Sequence, residues 1–199
     1  MAGSDADAIQ AVLKGDVDRY AELVDRYQGR AIRLAFSFLG NAEEARDISQ
    51  EAFVRAYRAL GRFRGGAAFS TWLFRIVINA CKDRVRARVR QPMVVASVGA
   101  SGPDTQDADG LFVVDVDDPA AGPSEQAANR ELAQRISRAI EALPMKQRTA
   151  FLLHHVHGLA LTEVGQVMSC RTGTVKSHVF RATARLQAEL GPWIREEGW

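Results

Sequence analysis

Near the C-terminus the chain reads SCRTGTVKSHVFRATARLQ, residues 169–187. At 100° per residue, Val175, Val179, Ala182 and Leu186 fall on one narrow apolar stripe. Gly173, Lys176, Ser177 and Phe180 lie roughly opposite, with Arg181 at their edge. A phenyl ring opposite a packing stripe, among cations and a hydroxyl, must touch something other than the core. The chemistry fits a DNA major groove. Lysine and arginine reach phosphates or guanine edges, serine bonds either, and a phenyl ring lies against a thymine methyl. Gly173 would let the backbone approach. The plainer reading is an amphipathic helix with a solvated basic face.

A second constellation precedes it. Arg75, Asn79, Lys82, Arg86 and Arg90 follow at helical spacings of three or four and form one stripe. Trp72 borders this stripe, while Leu73, Ile76, Val77 and Ala80 make a separate apolar face. Cations interleaved with an aromatic ring and an amide suit single-stranded or locally opened nucleic acid, where bases stack and their edges become available. The loop before the helix carries Phe63, two glycines and Phe69, which could wall a pocket for a flipped base. The bland alternative is a solvated basic helix beside a core tryptophan. In a third stretch, residues 46–60, Asp47, Gln50, Glu51 and Val54 share one face. Acid and amide groups beside an apolar one would dock a basic partner protein; local ion pairs on a solvated face are the competing account.

Nothing points to catalysis. His154, His155 and His157 contain no i,i+4 pair and have no adjacent carboxylate or thiol, so they do not read as metal ligands. There is no Walker loop, no GxGxxG and no local Ser/His/Asp signature. No enzymatic activity, no metal and no cofactor are expected. Cys81 and Cys170 are the only cysteines and form no CxxC, which fits reduced thiols. The first ten residues lack a basic segment followed by an apolar one. The longest apolar stretch, around residues 72–81, is short and broken by Arg75 and Asn79. A cytoplasmic protein is expected.

The elements that must hold these groups are all helical. A stripe of Tyr20, Val24, Tyr27, Ala31, Leu34 and Phe38 predicts one helix, with Asp16 as its cap and Gly40 as its stop. Asn41 and Glu44 form a capping-box variant opening a second, which ends at Gly61. Ser70 or Thr71 starts a third, reaching about Arg90, and Pro92 forbids more. Residues 91–123 hold four of the six prolines and read as a flexible linker. Beyond it, helices are expected from Ser124 to Leu143, from Pro144 to Gly158 as one run, over TEVGQVM, and over the stretch read first. Only Val113–Val116 hints at strand alternation. The fold class is therefore all-α: two small helical domains, residues 1–92 and 124–199, joined by an acidic linker, 93–123. A short helix, a tight turn and a longer basic helix make the second domain a helix-turn-helix.

Charge is segregated the same way, although the net charge is only +2. Residues 1–51 balance at −4, residues 52–90 at +9, residues 91–131 at −7 and residues 132–199 at +4. Two basic blocks suggest two polyanion-binding surfaces, and the acidic connector itself resembles a polyanion.

The run AEEARDISQEAFVRAYRALGRFRGGAAFSTWLFRIVINACKDRVR, followed by ALPMKQRTAFLLHHVHGLALTEVGQVMSCRTGTVKSHVFRATARL, resembles a bacterial alternative sigma factor of the extracytoplasmic-function type. The likeness spans both helical domains in the expected order, about three quarters of the chain. It implies a non-enzymatic factor that binds core RNA polymerase and directs promoter-specific initiation, with promoter DNA and a cognate anti-sigma factor as further partners. It implies polymerase docking through Asp47, Ile48, Gln50 and Glu51. Recognition and melting of the −10 element would fall to Phe63, Trp72, Arg75, Asn79, Lys82 and Arg86. The −35 element would be read by Arg171, Thr174, Lys176, Ser177, Phe180 and Arg181. The acidic linker would lie in a basic polymerase channel.

The chain departs from the family in three places. Ala160 replaces a capping Ser or Thr, so Thr162 is expected to start the short helix two residues late. Gly165 replaces a common Ala at a helix–helix contact, and this change and the one at Ala160 are each expected to weaken that helix by about 1 kcal/mol. Ser49 stands where an apolar residue is common. The main rival is a two-domain helix-turn-helix regulator, suggested by GTVKSHV, which would need a β-rich or α/β domain in front. A metal-dependent nuclease using the histidines has little support.

Overall fold

The computed structural model describes residues 4–90 and 123–196. Eight α-helices and no strand occur among them, in two compact units, Met1–Leu111 and Phe112–Trp199. The β-rich or α/β front domain of a regulator is thus missing from the described residues. The linker and the Val113–Val116 stretch lie outside them.

The first unit opens with α1, Asp5–Leu13, capped by Ser4. The Ser4 hydroxyl accepts the Asp7 N–H at 3.2 Å and the Asp7 carboxylate accepts the Ser4 N–H at 3.1 Å. A 3₁₀ turn, Val17–Arg19, leads into α2, Tyr20–Leu39. Asp16 precedes that turn and its side chain caps nothing, so the capping expectation there fails. The buried face of α2 enters with Leu23 and continues through Tyr27, Ala31, Leu34 and Phe38. Tyr20 and Val24 are only half-buried, which leaves them available to a groove described below.

Gly40 ends α2 in the left-handed region, φ 66°, with its N–H on the Phe36 carbonyl at 2.8 Å. The Asn41 side chain then accepts the Glu44 N–H at 2.9 Å and starts α3, Ala42–Ala59. Glu44 does not return the bond; its carboxylate pairs with Arg88 of α4, Phe69–Arg90. Helices α2, α3 and α4 pack on one another, around Leu34, Ile48, Leu60, Leu73, Phe74 and Ile78.

In the second unit, α5 is Pro123–Glu141, α6 Met145–Phe151, α7 Leu161–Met168 and α8 Thr172–Glu196. The single run expected from Pro144 to Gly158 is divided. After α6 the chain makes one π-helical turn, Leu152–Val156, closed by the His157 N–H on the Leu152 carbonyl at 2.9 Å. His154 holds this turn from outside, its Nδ1 2.9 Å from the Leu159 carbonyl oxygen.

The short helix α7 corrects two readings. It begins at Leu161 with Ala160 at the cap, not after Thr162. Alanine offers no acceptor, but the Glu163 carboxylate accepts the Ala160 N–H at 2.8 Å and supplies half of a capping box by itself. Gly165 is the second. A methyl group there would lie 2.9 Å from the Cys170 carbonyl oxygen, while the Cys170 N–H bonds the Gly165 carbonyl at 2.9 Å. The chain folds back this tightly because Ser169 takes a left-handed φ of 55°. The helix-propensity argument for alanine therefore loses to a backbone clash. Gly165→Ala is expected to lower the stability of the second unit by about 1–3 kcal/mol, read as a lower melting temperature; a variant at least as stable as the parent would refute the contact.

Candidate nucleic-acid and polymerase interfaces

On α8 the two faces separate as the sequence periodicity requires. Val175 and Ala182 are fully buried and Leu186 nearly so, against α6 and α7, while Phe180 is 75% exposed. Val179 is half-buried, at the margin of the stripe. Thr174, Lys176, Ser177 and Arg181 are exposed beside Phe180. The Ser177 hydroxyl donates to the Gly173 carbonyl at 3.1 Å, so its oxygen still has lone pairs to offer outward. Arg171 stands one residue before the helix, its carbonyl accepting the Thr174 and Val175 N–H groups. All six residues expected at duplex DNA thus lie on accessible surface or, for Arg171, at its N-terminal edge. Sequence reading passed over His178, whose Nδ1 is buried without a hydrogen-bond partner. Burial first, then the charges of Lys146 and Arg181, hold its pKa below the usual histidine value. These two cations beside one imidazole mark α6 as adding positive charge next to the outer face of α8.

The second surface is built around rings. Phe63 and Trp72 lie 5.2 Å apart between centroids, and each packs on Phe69, at 5.9 and 5.7 Å. Phe69 is 2% exposed and forms the floor, not a wall as expected, while Phe63 and Trp72 are half-buried above it. Tyr27 of α2 extends the floor, its ring 5.6 Å from Phe69. Along α4, Arg75, Asn79 and Arg86 are exposed and Lys82 is half-buried. Arg86 lies 3.7 Å from Asp83, a contact too exposed to hold the guanidinium away from another anion. Gly65, with φ 69°, turns the loop that carries Phe63 back toward α4.

The third surface differs most from expectation. Asp47, Gln50 and Glu51 are exposed on α3, but Ile48 is 2% exposed and belongs to the core. Its place in the docking set is a correction: it stands three residues from Ala45 and four from Ala52, both fully buried, and so shares their face. Beside the three polar residues runs an apolar groove of about 780 Å³ between α2, α3 and the preceding 3₁₀ turn. Tyr20, Val24, Ser49, Phe53, Val54 and Tyr57 line it. The Tyr20 hydroxyl donates to the Phe53 carbonyl at 2.7 Å, and its ring meets Tyr57 edge-on at 5.1 Å. Val54 is 50% exposed and Tyr57 40%. Ser49, by contrast, is 2% exposed, a small side chain that leaves the groove open. Glu51 carries Arg55 at 2.6 Å, one turn on. Sequence reading found Val54 but missed Tyr57, although the spacing Asp47, Gln50, Val54, Tyr57 was there to extend the face.

Known proteins resemble both units. Residues 23–91 match the family model for sigma-70 region 2, and residues 133–186 that for sigma-70 region 4. The RNA polymerase sigma-H factor of Pseudomonas aeruginosa is 37% identical over 194 residues, 96% of each chain. The ECF RNA polymerase sigma factor SigW of Bacillus subtilis is 36% identical over 186 residues, 92% of this chain and 94% of SigW. Among solved structures, CnrH in complex with the cytosolic domain of CnrY superposes with a TM-score of 0.64 at 24% identity, covering 94% of this chain and 99% of CnrH. The sigma factor RpoE of Bartonella quintana, in complex with the anti-sigma factor NepR, gives 0.60 at 21% identity, covering 86% and 96%.

Proposed function

The chain belongs to the extracytoplasmic-function sigma factors, which direct promoter-specific initiation by RNA polymerase, and from that premise we propose how its three surfaces divide the work. The α3 face and its groove dock on core polymerase. The Phe63–Trp72 rings and the Arg75–Arg86 stripe take the opened −10 element. The outer face of α8 reads the −35 element in the major groove. The N-terminal domain, residues 1–92, and the C-terminal domain, residues 124–199, thus hold separate promoter contacts, with the acidic linker between them in a basic polymerase channel. A cognate anti-sigma factor is a further proposed partner. The factor itself performs no chemistry in this reading; it positions DNA for the polymerase.

The observation that carries the proposal is the exposed ring of Phe180 among Lys176, Ser177 and Arg181, opposite fully buried Val175 and Ala182. A single exposed apolar side chain is ordinary on a protein surface; what supports the reading is the company of this ring, two cations and a hydroxyl on the face opposite the packing stripe. Footprinting of the reconstituted holoenzyme on genomic promoters tests it: protection at two elements with thymines opened at the downstream one is expected, and protection of a single duplex site would refute it.

Docking has its own expected result. Asp47, Gln50 and Glu51 changed together to Ala should weaken competition for core polymerase about tenfold, with helicity unchanged. Val54→Asp, which puts a charge on the lip of an apolar groove, should do at least as much, because interface energy concentrates at desolvated apolar anchors. Parent-like competition by both variants would place the docking surface elsewhere.

A further inference from the structure

The aromatic cluster beneath the proposed −10 site has a polar end that the promoter contacts do not use. Tyr27 is 9% exposed, and its ring lies 5.6 Å from Phe69, which in turn supports Trp72 at 5.7 Å and Phe63 at 5.9 Å. A tyrosine hydroxyl taken so far from solvent needs a partner. The partner is remote in sequence: the Tyr27 hydroxyl donates to the Asp5 carboxylate, the first residue of α1. The other Asp5 oxygen pairs with Arg26. Ser4 caps α1 immediately before Asp5, so the carboxylate is held at a fixed end of a fixed helix. One unbroken series of contacts therefore runs from α1, through α2, to Trp72 in the first turn of α4 and Phe63 in the loop before it.

We propose that Asp5 is a positioning residue for promoter opening, acting through Tyr27 and Phe69 to fix the Trp72 and Phe63 rings that receive unpaired bases. This rests on the assignment of those rings to the −10 element. Stacking depends on ring placement at the scale of tenths of an ångström, because dispersion contacts fall away steeply with distance. A charge-assisted hydrogen bond restrains the Tyr27 ring in its plane and along its long axis, which packing alone does less well. Asp5 itself touches no DNA in this arrangement. Its removal should loosen the floor while leaving the cations of α4 where they are.

The test uses holoenzyme reconstituted with the full chain carrying Asp5→Ala, Tyr27→Phe, both together, or Trp72→Ala. Both single changes remove the same hydrogen bond. Each is expected to reduce permanganate reactivity of the opened thymines about fivefold, with closed-complex binding unchanged, and the double variant should lose no more than the worse single one, as coupled residues do. In a Trp193→Phe, Trp199→Phe background the remaining Trp72 should become more accessible to acrylamide in either variant. Melting temperatures of the free chains identify losses due to unfolding alone. Multiplicative losses in the double variant, or opening defects with unchanged Trp72 quenching, would overturn the proposal. If Trp72→Ala fails to open DNA while the Asp5 and Tyr27 variants match the parent, the positioning role falls and the base-receiving role stands. If Trp72→Ala opens DNA normally, both fall.

Discussion

A holoenzyme carrying Trp72→Ala is expected to reach its promoter and stall before opening it. Stacking of a base on an aromatic side chain is worth about 1–3 kcal/mol, so losing the ring should reduce the open fraction by roughly ten- to a hundredfold. The half-exposed Trp72 stands on Phe69 and beside Phe63, so truncation also removes the support of the second ring. Asn79→Ala, on the exposed stripe two turns further along α4, removes hydrogen bonds to base edges and should have a smaller effect of the same kind. Both residues belong to the first unit, so the −35 contact assigned to the second should persist in footprints. Permanganate reactivity measured beside duplex binding separates the two steps. A Trp72→Ala holoenzyme that melts DNA normally but binds duplex poorly would move this helix onto duplex DNA.

The second large effect is expected on α8, where three substitutions should give three distinct signatures. Val175→Ala opens a cavity at a fully buried position against α7 and should destabilise the second unit by about 2 kcal/mol. Binding to all sequences then weakens alike. Arg181→Ala removes an exposed cation: about 1–3 kcal/mol if it reads a base, with relaxed preference at that position. If it holds a phosphate, the salt slope falls by roughly 0.9 instead. Phe180→Ala takes away a ring that is 75% exposed, so stability should be unchanged. The salt slope should also hold, and only the preference at one A·T position should relax, because an apolar contact to a thymine methyl is all that disappears. Binding of the three variants to a panel of single-base −35 mutants at several salt concentrations decides. Should Phe180→Ala lose stability and keep its base preference, the ring is packed and the face assignment fails.

Much of this architecture was legible from the residues because the rules involved are local. Gly40 and Asn41 mark the α2–α3 junction through bonds spanning four residues or fewer. The separation of Phe180 from Val175 follows from helical rotation alone. One expectation fails because a distant group competes for the same atoms, another because a motif outweighs helical phase. Glu44 was expected to complete a capping box, but Arg88, forty-four residues on, takes its carboxylate. Ile48 was carried into the docking set with the motif around it, yet its helical phase puts it with Ala45 and Ala52 in the core.

By itself, then, the sequence determined the all-α class, the Gly40–Asn41 junction, the charge segregation and the outward face of α8, since each depends on spacing within one segment and on the cost of burying the wrong side chain. Tertiary structure decided the rest. The groove of Tyr20, Phe53 and Tyr57 exists only because α2 and α3 pack together and bring these rings, from buried Phe53 to exposed Tyr57, onto one seam. Gly165 is required by the carbonyl of Cys170, five residues away but brought within 2.9 Å of a would-be methyl by the left-handed turn at Ser169. Asp5 meets Tyr27 because α1 packs along α2, a pairing that no periodicity within either helix specifies. Periodicity states which side of a helix faces inward; only packing selects the partner there, because contact energy depends on where distant segments meet in space.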